Sequence, residues 1–211
     1  RFERIFWGLP FKLNVGAGVQ HAHYFNRTAR RRIIAGVSTL DNYESNLDFL
    51  SYAAFGQASK EWWNQQLKLS FGLSVAGNMR NPLPQLSPRL SITYALSDRT
   101  DVSANVGRYA KLPSYTSLGY RNAEGQLANR DALKYIMANH LVVGVSHRPM
   151  EGVSLAAEAF YKTYEHYPIS LAEGVSLASK GAEYAAVGDE AVAASGLGRA
   201  YGAEVVARVQ L

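Results

Sequence analysis

The sequence predicts an all-β fold, an antiparallel sheet of about eight meandering strands that crosses a membrane as the wall of a β-barrel. Three observations lead to this prediction. Apolar residues recur at every second position in segment after segment. The chain contains no apolar run of the roughly 18 residues that a membrane helix needs. Connections between the segments alternate between short and long. A closed sheet satisfies its own backbone hydrogen bonds, so strands can cross lipid where the average residue is only moderately apolar.

The clearest element runs from Leu67 to Val75, with apolar residues at the odd positions and mostly small or polar residues at the even ones. Successive strand side chains point to opposite faces of a sheet, so this pattern predicts a strand with one apolar face. Upstream, Leu13 to Val19 alternates in the same way, and a less regular strand is predicted near 47–57. Each predicted strand has about the 9 to 11 residues that a tilted membrane strand requires.

Two hairpins and a last strand follow. Leu90 to Leu96 and Val102 to Val106 flank the tight turn 97–100, which predicts the first hairpin. Strands near 139–145 and 152–162 flank the turn 148–152 and predict the second. The final segment, 201–211, alternates again.

The lengths of the links predict the orientation of the strands. In outer-membrane barrels the periplasmic turns are short and the extracellular loops are long. Short links are predicted near 58–64, 97–100 and 147–152, an intermediate one near 78–88, and long ones near 25–46, 111–138 and 165–198. Strands that begin near 13, 65, 101 and 152 are therefore expected to run outward, and the others to return.

The side chains on each face suggest their surroundings. Charged and polar residues of the polar face are expected to line a lumen, because a Lys or Arg at the lipid midplane would cost roughly 2 to 4 kcal/mol. These lumen candidates are Lys68, Arg89, Asn105, Glu158, Lys162, Glu204 and Arg208. Aromatic residues gather at membrane interfaces. The predicted girdle residues are Tyr161 and Tyr201 at the outward rim, and Phe11, Phe55 and Trp63 at the opposite rim.

Four motifs then point to a family. They are Ser87–Tyr94, Gly107–Tyr109 followed by Leu112–Tyr115, Glu158–Tyr164 with Tyr167–Pro168 beyond it, and Gly198–Glu204 after a long loop. In this order and spacing they resemble the barrel of TonB-dependent outer-membrane receptors, particularly those of Bacteroidetes-like bacteria. The resemblance extends from about Leu67 onward, and the preceding region shares only its general character.

The resemblance implies that residues 1–211 are an internal portion of the receptor β-barrel, without the plug domain and the terminal strands. It implies a Gram-negative outer-membrane protein that binds a scarce nutrient outside the cell and imports it with TonB-coupled energy. The implied partners are membrane lipid and lipopolysaccharide, the TonB complex through the missing plug region, and a surface lipoprotein. The substrate would be a small molecule, oligosaccharide, peptide or metal chelate. No enzymatic activity, cofactor or nucleic acid is expected.

Ligand contacts are expected in the long loops, because aromatic and polar loop residues suit capture of sugars, peptides or siderophores. The candidates are Tyr115, Tyr120 and Arg121 in the first loop, and His166 and Tyr184 in the second.

Two other interpretations remain open. A self-contained small barrel, acting as a passive pore or anchor, would have to pack Arg89, Arg108, Glu158 and Glu204 into one narrow core. A soluble β-sandwich or barrel would instead bury the apolar faces in a dry interior.

Other signals are weaker. The net charge of +5 concentrates near Arg27 and Arg30–Arg32, a segment interpreted as a solvated loop, with contact to lipopolysaccharide phosphates as a hypothesis. His21 and His23 share a strand face but lack a third metal ligand with suitable spacing, so no metal site is predicted. No nucleophile or phosphate-binding loop is recognisable.

Overall fold

The computed structural model describes residues 2–6, 11–34, 37–79, 81–122, 124–129, 132–180 and 188–210. These residues form one antiparallel sheet of nine strands, in which each strand pairs with its neighbour in the chain. The strands are β1 (Phe2–Phe6), β2 (Lys12–Ile34), β3 (Val37–Trp62), β4 (Leu67–Asn78), β5 (Asn81–Ser97), β6 (Thr100–Lys111), β7 (Ile136–Met150), β8 (Val153–Ser170) and β9 (Val192–Val209). The predicted all-β, antiparallel fold is confirmed, and β1 adds a short strand to the eight predicted ones.

The described residues also form two short helices between strands. The α-helix α1 (Tyr115–Leu118) lies between β6 and β7, and a 3-10 helix (Leu177–Lys180) lies between β8 and β9. No helix among these residues is long and apolar enough to cross a membrane.

The sheet is open along two edges. β1 and β9 are its outermost strands, and in the described part of the chain they do not pair with each other. The hypothesis of a self-contained small barrel requires that pairing, because closure is what removes the unpaired edges of a membrane sheet. The nine described strands therefore form a wall and not a closed barrel.

One face of the wall, which we call the outer face, is apolar across eight strands. Consecutive cross-strand partners form a continuous row on it: Leu13, Ala58, Phe71, Leu90, Val106, Leu141, Tyr161 and Tyr201. Protein does not cover this row, since Phe71, Val106 and Tyr201 remain 51%, 52% and 73% exposed. The soluble sandwich interpretation is wrong for this reason, because it requires the apolar faces to be buried.

The apolar band runs obliquely across the strands. We call the end of the sheet near the short turns its lower end and the end near the long loops its upper end. The apolar row joins Leu13, near the lower end of β2, to Tyr201, the uppermost apolar position of the band on β9. On β9 the band continues down to Val209, eight residues further along the chain. A stagger of about eight residues over seven strand spacings corresponds to a strand tilt of about 40°. Outer-membrane barrel strands tilt by roughly 35 to 45°.

Two of the predicted long or intermediate links are strands. The region 25–46 belongs to β2 and β3, which form one long hairpin, and β5 already begins at Asn81. These predictions were wrong because neither segment shows a two-residue apolar period. Region 25–46 has polar residues at odd and even positions alike, and 81–88 contains three prolines. The predicted loop at 111–138 is confirmed as 112–135, and the loop at 165–198 shortens to 171–191.

One cluster of the buried core lies where the two long loops meet the upper part of the sheet. Leu133, Leu177 and Val192 form an apolar cluster where the two long loops meet, with Leu118 and Ala194 packed against it. We call the described parts of 112–135 and 171–191 the cap. Leu47 and Phe49 of β3 and Met137 of β7 are also buried. The core therefore involves both the loops and the upper parts of these strands.

An aromatic ring covers a glycine where β8 and β9 pair. Phe160 and Gly202 are direct cross-strand partners. A Cβ atom placed on Gly202 would lie 2.9 Å from Cζ of Phe160. Gly202 therefore lets the ring lie flat against the neighbouring strand, a known way to stabilise a glycine within a sheet.

Candidate ligand-binding face and cap

The seven predicted lumen residues share the face opposite the apolar row, which we call the inner face. The register fixes this arrangement. Lys68, Thr93, Ser103, Gly144, Glu158 and Glu204 form one row of consecutive partners. Arg89, Gly107, His140 and Lys162 form a second row, four residues further along the strands. Asn105 lies between the two rows and Arg208 lies beyond the first.

Aromatic and cationic side chains contact one another across four strands of the inner face. The guanidinium carbon of Arg89 lies 5.1 Å from the ring centroid of Tyr109. The Tyr109 ring lies 4.7 Å from the His140 ring, which lies 6.5 Å from the Tyr164 ring. We call these four residues the aromatic ladder. The contact between Arg89 and Tyr109 is a cation–π contact, which contributes about 0.5 to 1 kcal/mol at an exposed site. The other two are contacts between rings.

Small residues leave space around the ladder. A Cβ atom at Gly107 would lie 3.1 Å from Cγ of Arg89 and from the hydroxyl oxygen of Tyr109. Arg89 Nη2 also donates a hydrogen bond of 3.0 Å to Ser74 Oγ. A concavity of about 500 Å³ lies beside these groups, and Phe55 and Gly72 also line it. Its size falls within the range of small-molecule pockets.

Charge is divided along the inner face. Arg89 and Lys162 lie in the upper row, and the ammonium of Lys162 lies 4.6 Å from the Phe160 ring centroid. Glu158 and Glu204 are direct partners in the lower row, about 13 Å away along the strands. An anionic group would therefore be favoured near the aromatic ladder and disfavoured below it.

Asn129 joins the two loops of the cap. Its side-chain amide donates to the carbonyl oxygens of Ser117 at 2.9 Å and Glu190 at 2.8 Å. Its side-chain oxygen accepts a 2.9 Å hydrogen bond from the backbone amide of Val192. Asn129 is only 1% exposed, so the three bonds are shielded from water. The loops are thus held together as one unit.

An ionic cluster stabilises the second loop. Lys180 Nζ lies 2.6 Å from Glu190 Oε1 and 3.0 Å from Glu173 Oε2. Ser170 donates a short hydrogen bond to the other oxygen of Glu190. Burial alone would lower the pKa of Lys180, but the hydrogen bonds and charges of Glu190 and Glu173 outweigh it and raise this pKa above 10.5. Lys180 is therefore protonated at neutral pH.

Aromatic packing and hydrogen bonds attach the cap to the inner face. The Tyr115 ring lies 5.5 Å from the Phe49 ring and 6.1 Å from the Tyr24 ring. Arg121 donates to the carbonyl oxygens of Gly125 at 2.6 Å and Asn46 at 3.3 Å. The cap therefore lies over the upper inner face of β2 and β3.

A further hydrogen bond joins the cap to β4. Asn78 Nδ2 donates to the hydroxyl oxygen of Tyr135 at 3.1 Å. Burial raises the pKa of Tyr135, and this hydrogen bond partly opposes the rise. The phenol is therefore neutral at neutral pH and serves as an acceptor for the cap.

The structure separates the predicted ligand residues. Tyr115, Tyr120 and Arg121 lie together in the cap, where Tyr115 and Arg121 also hold it to the wall. His166 lies in β8 with a positive φ of 60°, at an irregularity in the pairing with β9. Tyr184 lies outside the described residues. Ligand contact by any of these residues stays a prediction.

The predicted girdle residues fall into two groups. Tyr161 and Tyr201 are direct cross-strand partners on the outer face. Phe11 and Trp63 lie at the ends of strands near the short turns, 37% and 66% exposed. Phe55 pairs with Ser74 on the inner face, so its placement in the lower girdle was wrong. Tyr52, and not Phe55, is the aromatic residue on the outer face of that part of β3.

Sequence reasoning missed the ladder and Asn129. Tyr109 follows Arg108 at the end of an alternating strand, and the same alternation could have placed Tyr109 on the inner face and Arg108 on the outer one. The grouping of Arg108 with Arg89, Glu158 and Glu204 in one core was therefore wrong. Nothing local marks Asn129, because its partners lie 12, 61 and 63 residues away.

The histidine pair on β2 has an acidic partner. His21 Nε2 and His23 Nδ1 lie 3.3 and 3.0 Å from the same carboxylate oxygen of Asp48. Among the described residues, no group of three His, Asp or Glu side chains is arranged to hold a metal ion. The three residues are interpreted as a polar cluster on the outer face of the long hairpin.

One family matches nearly the whole chain. A family model described as TonB dependent receptor-like, beta-barrel matches residues 2–210. The solved structure of the copper transporter OprC is 17% identical, with a TM-score of 0.67 over 99% of this chain and 34% of that protein. The siderophore receptor PirA from Pseudomonas aeruginosa is 15% identical, with a TM-score of 0.66 over 96% of this chain and 34% of that receptor. The ferric-catecholate import receptor Fiu from E. coli K12 is 13% identical, with a TM-score of 0.62 over 99% and 34%.

At these identities the structures show a common fold. The chain spans about a third of the length of each of these proteins. No curated protein matches the sequence.

Proposed function

Because the chain belongs to the TonB-dependent receptor β-barrel family, we propose that it forms about a third of the wall of an outer-membrane import receptor. The outer face contacts lipid and the inner face lines a polar lumen. The receptor captures a scarce nutrient outside a Gram-negative cell and imports it with TonB-coupled energy through a plug domain. It is not an enzyme.

The observation that carries the proposal is the placement of apolar surface. No residue of the outer row is buried on any of the eight strands, whereas the buried apolar residues belong to the cap and to the upper parts of the strands. A soluble protein rarely exposes so large an apolar surface, whereas a membrane barrel requires it. The oblique band adds support, since its tilt of about 40° is that of barrel strands.

The aromatic ladder and the concavity beside it are the proposed path of the ligand. The cap lies over the upper inner face, so a ligand would meet Tyr120 or His166 before it meets the ladder. Arg89 and Lys162 favour a ligand with negative charge. A surface lipoprotein would contact the cap from outside.

Depletion of solutes from growth medium tests this function without prior choice of a ligand. Three strains are compared: the parent, a deletion of the full-length receptor gene, and a deletion of the TonB gene. Mass spectrometry of spent medium should reveal a solute that the parent removes and neither deletion removes. The receptor gene with Arg89→Gln and Tyr109→Ala should restore depletion only partly.

Two results would contradict the proposal. A solute removed by the parent and the TonB deletion, but not by the receptor deletion, would identify a passive pore, the alternative considered from the sequence. Equal depletion of every solute in all three strains would exclude a role of the receptor in solute uptake from that growth medium.

A further inference from the structure

We propose that an unpaired strand edge above the apolar band captures extended, basic peptides by strand addition. The edge belongs to β3 and spans residues 38–46, and we call it the free edge. In strand addition the backbone of a peptide continues the hydrogen-bond pattern of a sheet, and side-chain contacts select the peptide. The inference rests on the proposed function, because it names a substrate class for the proposed receptor.

The free edge exists because β3 extends beyond β4. β3 pairs with β2 as far up as Val37, but it pairs with β4 only from Ser51 downward. At that level the chain turns from β4 into β5, where Asn78 pairs with Asn81. β4 therefore cannot continue alongside β3, and no strand of the described chain pairs with the free edge.

The backbone groups that β3 presents at the free edge follow from its pairing with β4. The amide of Met79 donates to the carbonyl oxygen of Leu50 at 3.1 Å, so Leu50 presents its backbone toward β4. Backbone groups of successive strand residues point to alternate sides, so the even-numbered residues of the free edge present theirs in the same direction. Arg121 Nη2 donates to one of these groups, the carbonyl oxygen of Asn46, at 3.3 Å. A donor from outside the sheet therefore reaches this edge.

A second edge of the same wall is protected, whereas the free edge is not. β5 pairs with β6 only from Arg89 downward, so its upper part, 81–88, forms no ladder with β6. That part contains Pro82, Pro84 and Pro88, and proline protects an edge because it has no N–H to donate. The free edge contains neither proline nor lysine. It is therefore a template for pairing with an extended chain.

Charge identifies the occupant of the free edge. Residues 38–48 include three carboxylates, Asp41, Glu44 and Asp48, and no cationic residue. Glu44 is exposed and lies opposite Arg27 of β2, but it forms no ion pair with any described residue. Asp48 lies on the same face, about 13 Å further along the strand. Opposite charges on neighbouring strands stabilise their pairing and like charges destabilise it. A strand with Lys or Arg at two positions four residues apart therefore fits, whereas a second copy of this acidic edge does not.

The cap places the free edge beside the predicted ligand residues. Ser45 is only 1% exposed and donates a hydrogen bond to the carbonyl oxygen of Gly119 in the cap. Asn46, the next residue, is exposed and accepts the hydrogen bond from Arg121. A peptide added along the free edge would therefore have Arg121 and the preceding Tyr120 at its lower end, at the start of the proposed ligand path.

Peptide binding to the full-length receptor tests the proposal. The receptor is purified in a neutral detergent, and fluorescence anisotropy follows the binding of labelled synthetic peptides of about ten residues. A basic peptide alternates valine with threonine and lysine so that its lysines stand four residues apart, and a neutral peptide has glutamine in place of each lysine. A third peptide is the basic one with N-methyl groups on its central residues, which removes donors from both of its edges. The basic peptide should bind about threefold more tightly than the neutral one and about tenfold more tightly than the N-methylated one.

Two receptor variants locate the site. Asn42→Pro removes a backbone N–H from the free edge and should weaken binding of the basic peptide about fivefold or more. Its matched control, Asn42→Ala, keeps that N–H and should bind as the wild type does. Glu44→Gln should weaken binding of the basic peptide about threefold and leave the neutral peptide unchanged. Its matched control, Glu151→Gln, removes the same charge from a turn at the lower end of the sheet and should bind both peptides as the wild type does.

Hydrogen–deuterium exchange shows whether the bound peptide pairs with the backbone. Binding of the basic peptide should slow exchange within 38–46, because the added strand accepts hydrogen bonds from the free edge. This measurement uses the wild type, so it also decides the matter if Asn42→Pro misfolds and loses the compact gel band of the unheated sample. Unchanged exchange within 38–46 in the presence of bound peptide would overturn the inference.

Each other outcome counts against a specific statement. No binding of the basic peptide, or equal binding of the basic and N-methylated peptides, would overturn strand addition, while TonB-dependent depletion of a solute would leave the transport function intact. Equal weakening by Glu44→Gln and Glu151→Gln would overturn the selection of basic peptides by this edge. Slow exchange within 38–46 without peptide, lost on dilution, would identify a second copy as the occupant and would also overturn the inference. Failure of the wild type to insert into lipid vesicles would instead refute the proposed function.

Discussion

Replacement of Asn129 by alanine should release the two loops of the cap from each other. The side chain makes three hydrogen bonds, to Ser117, Glu190 and Val192, at a position with 1% exposure. Each buried backbone group that loses its partner costs about 1 to 3 kcal/mol. Water entering the space left by the side chain would recover part of this loss, so a net cost of about 2 to 4 kcal/mol is expected for cap closure.

This cost predicts a measurable change in cap opening. Since about 1.4 kcal/mol corresponds to a factor of ten, the open population should rise roughly 30- to 1000-fold. Hydrogen–deuterium exchange of the full-length receptor, followed by mass spectrometry, measures it. Peptides within 112–135 and 188–196 should exchange faster by a factor in that range. Peptides from 67–75 of β4 and from 89–97 of β5 should stay unchanged, because the cap contacts β4 only at Asn78, near its upper end, among the described hydrogen bonds.

Two variants make the test specific. Asn122→Ala removes another asparagine of the same loop, whose side-chain oxygen accepts a 2.8 Å hydrogen bond from the exposed amide of Gln126. It should change exchange only near the loop tip. Asn129→Asp keeps the acceptor for Val192 but loses the amide donor, so its effect should be intermediate. If Asn129→Ala accelerates exchange no more than Asn122→Ala does, the reasoning is wrong and other contacts hold the loops together.

Three other predictions address the wall and the ionic cluster. Val143→Arg on the outer face should destabilise the receptor in lipid vesicles by about 2 to 4 kcal/mol in urea unfolding, and Val142→Arg on the inner face by much less; equal losses would contradict the assignment of the faces. Gly202→Ala should lower the temperature at which the compact gel band is lost, and a Phe160→Leu background should relieve that loss, because the added methyl group meets the aromatic ring. The raised pKa of Lys180 means that its contribution to cap stability is complete below pH 10.5 and is lost as the pH rises further. Proteolysis within 171–191 should therefore accelerate above that pH in the wild type and be fast throughout in Lys180→Met; a pH-independent wild-type rate would refute the role of the ion pairs.

The sequence predicted the membrane-spanning parts of the strands well because their pattern is local. From Leu67 onward each strand alternates between two environments, and the period of two is enough to assign faces. Phe55 shows where this fails. Between Tyr52 and Gly56 small and aromatic residues occupy both faces, so no alternation distinguishes one face from the other, and only the pairing with β4 places Phe55 inside.

The long hairpin illustrates a second limit. In the region 25–46, above the apolar band, polar residues occupy odd and even positions of β2 and β3 alike, so no hydrophobic period indicates a strand. The hydrogen bonds between the two strands are what extend the sheet there, and they pair Arg27 with Glu44 and Arg30 with Asp41. A pattern based on hydrophobic alternation cannot detect strands of this composition.

The amino-acid sequence by itself determined that this protein is a wall of β-strands with one face for lipid and one for polar groups. The alternation of apolar and polar residues along each strand indicates the two faces, because successive side chains point to opposite sides of the sheet. The tertiary structure alone decided that Asn129 joins loops some 60 residues apart, that the aromatic ladder crosses four strands, and that β3 extends beyond β4 and leaves an edge unpaired. Such contacts depend on register and on loop closure, and these are properties of the whole sheet that no single segment encodes.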